Sequence, residues 1–158
     1  MSGFAVAGGL ELSIWCDLRV VEEDAVFGVF CRRWGVPLID GGTWRLSKLI
    51  GRSRALDMVL TGRSVDAKEA LLFGLANKVV KKGDCVLEAL KLARLVSSFP
   101  QVCMRNDRSS VYEVEDKSLE EALRVEWNYG QNSLIHAPKN VQLFRDGEGR
   151  GGKWKSKL

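Results

Sequence analysis

Gly8-Gly9-Leu10-Glu11 opens an apolar, helix-compatible run, and the rest of the chain is organised around it. A glycine pair in front of a helix exposes backbone N–H groups, which can hold a developing negative charge. Glu11 follows Gly8 by three residues, so a helix brings its carboxylate to the face on which the Gly8 amide points. An amide that binds an anion, beside a carboxylate that moves protons, is a minimal site for an enolate.

These four residues also have a plainer interpretation, which is a flexible start of a helix followed by a solvated glutamate. Taken alone they favour that interpretation, because glycine pairs are common in turns. The choice between an enolate site and ordinary helix punctuation therefore depends on the rest of the sequence.

The length and composition are those of a single globular domain. The chain has 158 residues, of which 46% are hydrophobic and 28% are charged, so it can bury a sizeable core. Its net charge of +4 is spread along the chain without the aromatic and basic clusters of a nucleic-acid interface. The charge suits an anionic small ligand equally well. We therefore expect no nucleic-acid partner.

The cysteine and histidine content excludes several classes of site. The four cysteines show no C-x-x-C spacing, which argues against zinc and against a disulfide framework and indicates reduced thiols in an intracellular protein. The single histidine, His136, excludes mechanisms that need several histidines within this chain. We expect no metal site, no membrane span and no N-terminal signal peptide, because no stretch is apolar enough for a span or has the pattern of a signal.

The C-terminal residues have the form of a targeting signal. The chain finishes with Ser156-Lys157-Leu158, a tripeptide that the peroxisomal import receptor reads. The glycine-rich and basic composition of residues 147–158 predicts a flexible tail that presents this tripeptide. We expect a peroxisomal protein, with the mitochondrion or the cytoplasm as the alternatives.

Hydrophobic periodicity predicts an α/β fold. Short β-branched runs at residues 18–21 and 25–28 predict two strands after the first helix, in a sheet covered on at least one face. Residues 29–40 have no clean period and are predicted to be a loop. Ser118 and Glu121 match a capping box at the start of the last predicted helix. The pattern predicts a strand at 77–80 and helices at 44–49, 54–60, 67–73, 85–99, 102–114 and 119–135.

Ordered motifs in the first half of the chain give it a family resemblance. They are residues 3–12 (GFAVAGGLEL), 16–17 (CD), 27–28 (FG), 41–43 (GGT), 45–46 (RL), 51–55 (GRSRA), 60–63 (LTGR), 69–70 (EA) and 74–80 (GLANKVV). In this order and spacing they resemble the crotonase family, the enoyl-CoA hydratase/isomerase superfamily. The resemblance implies a crotonase-like core, a ββα superhelix, at residues 1–80. It also implies a C-terminal helical region at 81–146 of the kind that members use for trimer contacts.

The resemblance implies an acyl-CoA enzyme of fatty-acyl metabolism that stabilises a thioester enolate between two backbone N–H groups. Gly8 matches the second of these oxyanion-hole donors, and Gly9 beside it matches a substrate-binding position. Glu11 matches one of the two glutamates with which hydratases activate and protonate across a double bond. The coenzyme A thioester is the substrate, so no cofactor is expected, and the full-length family member is expected to form a homotrimer or hexamer.

The remaining acid–base positions depart from the hydratase pattern. Hydratases of the family place the second glutamate three residues after the Phe-Gly pair, where this chain has Cys31. A thiol is a poor substitute for a carboxylate in water addition, so a structural cysteine is the simpler interpretation. A single carboxylate can still move a proton between two carbons, as double-bond isomerases of the family do. Asp40 lies in a turn where other members, including ring-forming synthases, place a catalytic aspartate, or it caps the helix that follows.

The start of the chain is the other departure. In the family, several strands and the loop with the first amide donor precede the Gly-Gly helix, whereas this chain begins at Met1. We therefore expect an N-terminally truncated member. Half an oxyanion hole would lose about 3 kcal/mol of transition-state stabilisation. A catalytically impaired or inactive acyl-CoA-binding fragment is accordingly the alternative function.

Overall fold

The computed structural model describes residues 1–149 and 151, and the chain divides into two compact units. The first unit runs from Met1 to Lys91, and the second begins at Leu92. The predicted targeting signal, Ser156-Lys157-Leu158, lies outside the described residues, as does most of the predicted tail. The division into a partial core at 1–80, a helical region at 81–146 and a tail stays a prediction.

Short strands alternate with helices in the first unit. The strands are β1 (Phe4–Val6), β2 (Val20–Glu22), β3 (Val26–Gly28), β4 (Ser64–Asp66) and β5 (Lys78–Val80). The helices are α1 (Gly8–Ile14), a short 3-10 helix (Phe30–Trp34), α2 (Gly42–Ile50), α3 (Arg52–Thr61) and α4 (Ala67–Phe73), and α5 (Cys85–Ser98) begins in this unit. The predicted α/β class is confirmed.

Strands that are distant in sequence form two small sheets. In the first sheet β3 pairs in parallel with β1 and antiparallel with β4, which aligns Phe27 with both Ala5 and Val65. All three side chains are buried, because alternate residues of each strand face the core. In the second sheet β2 and β5 pair in parallel, with Val21 opposite Val79.

One hydrophobic core fills the first unit. Its buried members come from every strand except β5, from α1 to α4 and from the connecting segments, and they are Ala5, Leu10, Ile14, Val21, Ala25, Phe27, Val29, Leu46, Ile50, Ala55, Met58, Val65, Ala67, Ala70, Leu75 and Ala76. This core holds α1, and with it Glu11, in a fixed position.

The predicted loop at residues 29–40 is wrong in its first part, where the 3-10 helix forms. Gly35 ends that helix in the left-handed conformation, with a φ of 70°. The guanidinium of Arg33 donates two hydrogen bonds to the carbonyl of Gly62, at 3.1 and 2.7 Å. Arg32 Nε donates to the carbonyl of Val59 at 3.1 Å. These bonds tie the segment to the end of α3, a contact that no local pattern signals.

The sequence pattern also missed β1, β4 and α8 (Pro138–Arg145). The two strands are three residues long, and they form because both pair with β3. Pro138 starts α8, where its missing N–H costs nothing. The predicted helix α4, by contrast, is confirmed at both ends.

Helices make up the described part of the second unit. After the end of α5 come α6 (Gln101–Glu113), α7 (Leu119–His136) and α8. The predicted capping box of Ser118 and Glu121 is confirmed at the start of α7. Asn106 of α6 donates hydrogen bonds to the Ser133 hydroxyl at 3.0 Å and to the Tyr129 carbonyl at 3.3 Å, both in α7. Among residues 1–149 and 151, no helix has the length and apolar character needed to cross a membrane.

An apolar groove of about 900 Å³ opens between the helices of this second unit. Leu123, Trp127 and Leu134 of α7 form one wall, and Val141 and Phe144 of α8 form another. Each of these five side chains is exposed. The groove is therefore an uncovered hydrophobic surface in the described structure.

Candidate active site

The candidate site is built on the start of α1. Ala7, the residue before the helix, has a φ of 51°, a backbone angle that residues other than glycine rarely adopt. Two bonds hold it there, since its N–H donates to the Gly28 carbonyl at 3.0 Å and its carbonyl accepts from the Glu11 N–H at 3.1 Å. The N–H groups of Gly8 and Gly9, both exposed, donate to no acceptor among the described residues. This end of α1 therefore presents free donors to solvent.

Glu11 is buried and is not the solvated glutamate of the plainer interpretation. Only 2% of the residue is exposed. Its Oε1 accepts hydrogen bonds from the N–H groups of Asp40 and Gly42, both at 2.9 Å. Arg45 Nε is the only side-chain nitrogen or oxygen of the described residues that is sealed from solvent without a partner, so Oε2 of Glu11 keeps access to solvent. Oε1 is thus anchored by two amides, whereas no hydrogen bond to Oε2 is found among the described residues.

Gly42 makes the close approach of Glu11 to α2 possible. A Cβ at this position would lie 2.6 Å from Oε1 and 2.7 Å from Cγ of Glu11. Both distances are below any tolerated contact, so only glycine allows the carboxylate to reach the first amides of α2. Gly8 and Gly9 differ, because a Cβ on either would meet no atom within 4 Å. No neighbouring atom therefore requires glycine at either position.

Asp40 lies next to Glu11 through its backbone. Its N–H binds Glu11, its carbonyl accepts a hydrogen bond from Trp15 Nε1 at 2.8 Å, and the residue is exposed. The alternative that Asp40 caps α2 is wrong, since the capping residue is Gly41 and no side chain binds there. Instead, the carboxylate of Glu11 accepts a hydrogen bond from the N–H of Gly42, the first residue of α2. The backbone of Asp40 thus lies beside the Glu11 carboxylate, and the role of the Asp40 side chain as a second site carboxylate stays a prediction.

Cys31 lies in the 3-10 helix, half-buried, and packs against the core of the first unit. Its neighbours Arg32 and Arg33 are engaged with the carbonyls of Val59 and Gly62. This packing is that of a structural cysteine. Among the described residues, no group of three or more His, Cys, Asp and Glu side chains is arranged to hold a metal ion.

Two residues of the site were missed by sequence reasoning, Trp15 and Arg45. The guanidinium carbon of Arg45 lies 3.6 Å from the centre of a Trp15 ring. Trp15 is 53% exposed, so it does not serve to fill the core. Its position four residues after Glu11, directly after the end of α1, was the only available signal, because residues with this spacing share a helix face.

Comparison with known proteins identifies the family. The family model described as Enoyl-CoA hydratase/isomerase matches residues 1–150. The chain belongs to the enoyl-CoA hydratase/isomerase family. A family member from Dictyostelium discoideum, named as a probable mitochondrial enoyl-CoA hydratase, is 36% identical over 126 residues. That match covers 80% of this chain and 46% of the relative, and the chain spans about half the length of the curated relatives it matches.

Solved structures of enoyl-CoA hydratase/isomerase proteins share the fold of this chain. An enoyl-CoA hydratase subunit from Geobacillus kaustophilus is 33% identical with a TM-score of 0.82, and the match covers 99% of this chain and 59% of that one. A Thermobifida fusca protein solved in complex with acetoacetyl-CoA is 26% identical with a TM-score of 0.80, over 85% of this chain and 52% of that one. The crotonase-like fold, with its C-terminal helices, is therefore confirmed.

Proposed function

We propose that the protein acts on acyl-CoA thioesters, stabilising a thioester enolate and transferring a proton through Glu11. The observation that carries the proposal is the Glu11 carboxylate, which is 2% exposed, is anchored through Oε1 and lies on the helix whose first amides are free. The family membership and the acetoacetyl-CoA bound to the Thermobifida fusca relative support the choice of ligand. The coenzyme A thioester is the substrate, and no separate cofactor takes part.

In the proposed reaction the thioester carbonyl points at the N–H of Gly8, with Gly9 lining the substrate site. Oε2 of Glu11 takes a proton from the carbon next to the carbonyl, and the electron pair left behind moves onto the thioester oxygen. The Gly8 amide and the helix dipole stabilise that negative charge. Return of the proton to the far carbon of the shifted double bond completes an isomerisation.

Hydration is the other reaction within this proposal. It needs a second acid–base group, which activates the water molecule while Glu11 protonates the enolate. Cys31 stands where hydratases of the family have their second glutamate, so Asp40 is the carboxylate available for that role. The exposure of Asp40 and the hydrogen bond of its N–H to Glu11 at 2.9 Å support this choice.

Two spectroscopic assays distinguish these reactions. Loss of the conjugated 2-enoyl-CoA chromophore measures hydration, and its appearance from 3-enoyl-CoA measures isomerisation. We expect Glu11→Gln to reduce turnover by about 100-fold or more, the usual worth of a positioned acid–base group. Glu23→Gln, on an exposed turn, is the matched control and keeps wild-type turnover. Full turnover in Glu11→Gln excludes the role given to Glu11, and loss of hydration alone in Asp40→Asn supports that of Asp40.

The second candidate is an acyl-CoA-binding protein with impaired or no catalysis. The structural packing of Cys31 favours it, because a half-buried thiol in the core supplies no second carboxylate. Calorimetric titration with acetoacetyl-CoA that gives saturable binding, together with no turnover in either assay, selects this candidate. Turnover in either assay excludes the inactive form of this candidate.

The exposed groove of the second unit suggests self-association as a homotrimer or hexamer. Its α7 wall, with Leu123, Trp127 and Leu134, is the kind of apolar patch that interfaces cover. Sedimentation velocity should show an oligomer that Trp127→Glu dissociates. A wild-type protein that stays monomeric across the concentration range contradicts this part of the proposal.

A peroxisomal location rests on Ser156-Lys157-Leu158 alone. A fluorescent reporter carrying residues 147–158 should overlap a peroxisomal marker, and removal of Leu158 should make it diffuse. A diffuse signal from the intact tail, or a mitochondrial one from the full protein, refutes the peroxisomal address. The mitochondrial relative from Dictyostelium discoideum makes the second outcome the main competitor.

A further inference from the structure

We propose that Trp15 is a positioning residue that, together with Arg45, fixes the turn of Asp40 to Gly42 against Glu11. We name Trp15, Arg45 and this turn the Trp15 clamp. The inference rests on the proposed function of Glu11 and adds to it a mechanism that selects which carboxylate oxygen carries the proton. No residue of the clamp other than Asp40 has a role in the proposed reaction.

The turn is held by Glu11 of α1 and by Trp15, which directly follows this helix. Glu11 and Trp15 are four residues apart in the sequence, and Trp15 follows the last residue of the helix. The Glu11 carboxylate accepts from the N–H of Asp40 at 2.9 Å, while Trp15 Nε1 donates to the carbonyl of the same residue at 2.8 Å. Asp40 is therefore held by two hydrogen bonds: its N–H donates to Glu11, and its carbonyl accepts from Trp15.

Close packing of Trp15 leaves the turn little freedom. A Cβ on Gly41 would lie 3.4 Å from Cζ2 of Trp15, so the indole ring lies directly against this residue. Gly41 itself has a φ of 86° and leads into α2. The next amide, that of Gly42, then points at Glu11 Oε1 at 2.9 Å. The indole ring thus packs against Gly41, which lies between the two residues whose amides bind Glu11.

Arg45 supports the indole ring in turn. Its guanidinium stacks at 3.6 Å from the ring centre, and its Nε is buried without a hydrogen-bond partner. A buried donor without an acceptor is unfavourable, so a specific contact must maintain this conformation. The contact with Trp15 is the closest cation–aromatic contact of the described residues. More than half of Trp15 is exposed, so core burial does not explain the arrangement.

The clamp has a chemical consequence at Glu11. Both amides bind the same carboxylate oxygen, so turning the carboxylate out of this plane would break both hydrogen bonds. The orientation with Oε2 toward solvent is therefore maintained. A substrate that approaches the free amides of α1 meets this oxygen already in place.

Trp15→Phe tests the clamp, because it keeps an aromatic ring and removes the Nε1–H donor together with part of the indole surface against Gly41. Trp44→Phe is the matched control, since Trp44 is 48% exposed and lies 5.5 Å from the same guanidinium. We expect Trp15→Phe to lower kcat about tenfold, the worth of one orienting hydrogen bond, with KM within about twofold of wild type. The control should leave both constants unchanged.

Nuclear magnetic resonance gives a measurement that does not depend on turnover. Trp15→Phe should shift the amide proton signals of Asp40 and Gly42 and speed their exchange with solvent, whereas Trp44→Phe should leave both signals in place. Arg45→Met, which removes the stacked charge, should move the same two signals by less. If Trp15→Phe lowers the melting temperature of the protein, the amide signals of Arg45→Met still test the clamp.

The two measurements separate the clamp from the proposed function. Unchanged amide signals in both Trp15→Phe and Arg45→Met overturn the clamp, whatever the activity. Shifted signals in a protein that turns over no enoyl-CoA support the clamp and refute the proposed function. Shifted signals with an unchanged kcat in Trp15→Phe overturn the positioning role, because the turn has then moved without effect on the chemistry.

Discussion

Apolar side chains are buried in the unit around Glu11 and exposed in the helical unit that follows it. Phe27 and Leu46, in the first unit, are fully buried. Trp127 of α7 is 61% exposed, and Leu134 beside it in the groove is exposed to a similar extent. Among the described residues from Leu92 onward, no hydrophobic residue is buried. The first unit buries its apolar side chains in a core, whereas the second unit leaves its large apolar side chains exposed to solvent.

This difference assigns the proposed catalysis and the proposed self-association to different units. A carboxylate that must stay within hydrogen-bond reach of two amides needs a closely packed support, and the first unit provides it. An uncovered groove of about 900 Å³ is suited to a partner surface instead. We therefore expect substitutions in the first unit to alter stability and catalysis, and those in the second unit to alter association.

The largest contrast is expected between Phe27→Ala and Trp127→Ala. Loss of the fully buried Phe27 side chain should lower the free energy of unfolding by about 3–5 kcal/mol, through lost burial and the cavity left behind. The exposed Trp127 should cost less than about 1 kcal/mol in the monomer. Urea unfolding followed by circular dichroism measures both. Equal losses would show that α7 belongs to a core as complete as that of the first unit.

Two glycine substitutions give the next contrast. Gly42→Ala places a Cβ 2.6 Å from Glu11 Oε1, so it should cost about 1–3 kcal/mol of stability and displace the carboxylate. Gly130→Ala lies inside α7, where a Cβ meets no atom within 4 Å. It should stabilise the helix by up to about 1 kcal/mol. Thermal unfolding of the two variants checks the opposite signs, and a stabilised Gly42→Ala would contradict the contact with Glu11.

The smallest contrast is in the response to acid. Hydrogen bonds from Lys78 and Lys91 to Glu88, at the start of α5, hold its pKa at about 2, below the usual 4.5. Since the folded pKa is the lower one, this stabilisation is complete above pH 4.5 and is lost as the pH falls toward 2. At the start of α7 the Ser118 hydroxyl and N–H also hold the pKa of Glu121 below its ordinary value.

Unfolding in urea at several pH values tests this difference between the units. Glu88→Gln should flatten the fall in stability between pH 4.5 and 2. Glu121→Gln should act in the same direction and by less, because a neutral serine replaces the two lysines as partner. A wild-type acid profile in Glu88→Gln would mean that the pair with the lysines does not contribute.

The sequence predicts those elements whose start and stop signals lie within the element itself, as in α4. Asp66 caps α4 by accepting from the Glu69 N–H, and Gly74 ends it with a φ of 81°. Both signals lie within the segment, so its bounds were predicted correctly. The 3-10 helix depends instead on bonds from Arg33 to Gly62, which are invisible to any local pattern.

The candidate site shows the same division. The spacing of Gly8 and Glu11 predicts a carboxylate on the first helix of the site, and the family motifs point to Asp40. The anchoring of Glu11 by Gly42 and the contact of Trp15 with Arg45 join segments about thirty residues apart, so only the fold brings them together. The alternative in which Asp40 caps α2 is wrong, because the Glu11 carboxylate, from another helix, accepts a hydrogen bond from the first amide of α2.

The most direct test of the central claim is exchange of the proton next to the thioester carbonyl of a saturated acyl-CoA in D₂O. This exchange needs only enolate formation and return of a proton, so it is independent of hydration or isomerisation. We predict that the wild-type protein and Glu23→Gln catalyse the exchange and that Glu11→Gln is slower by about 100-fold or more. Exchange at the wild-type rate in Glu11→Gln, or no exchange with the wild-type protein, would contradict the account.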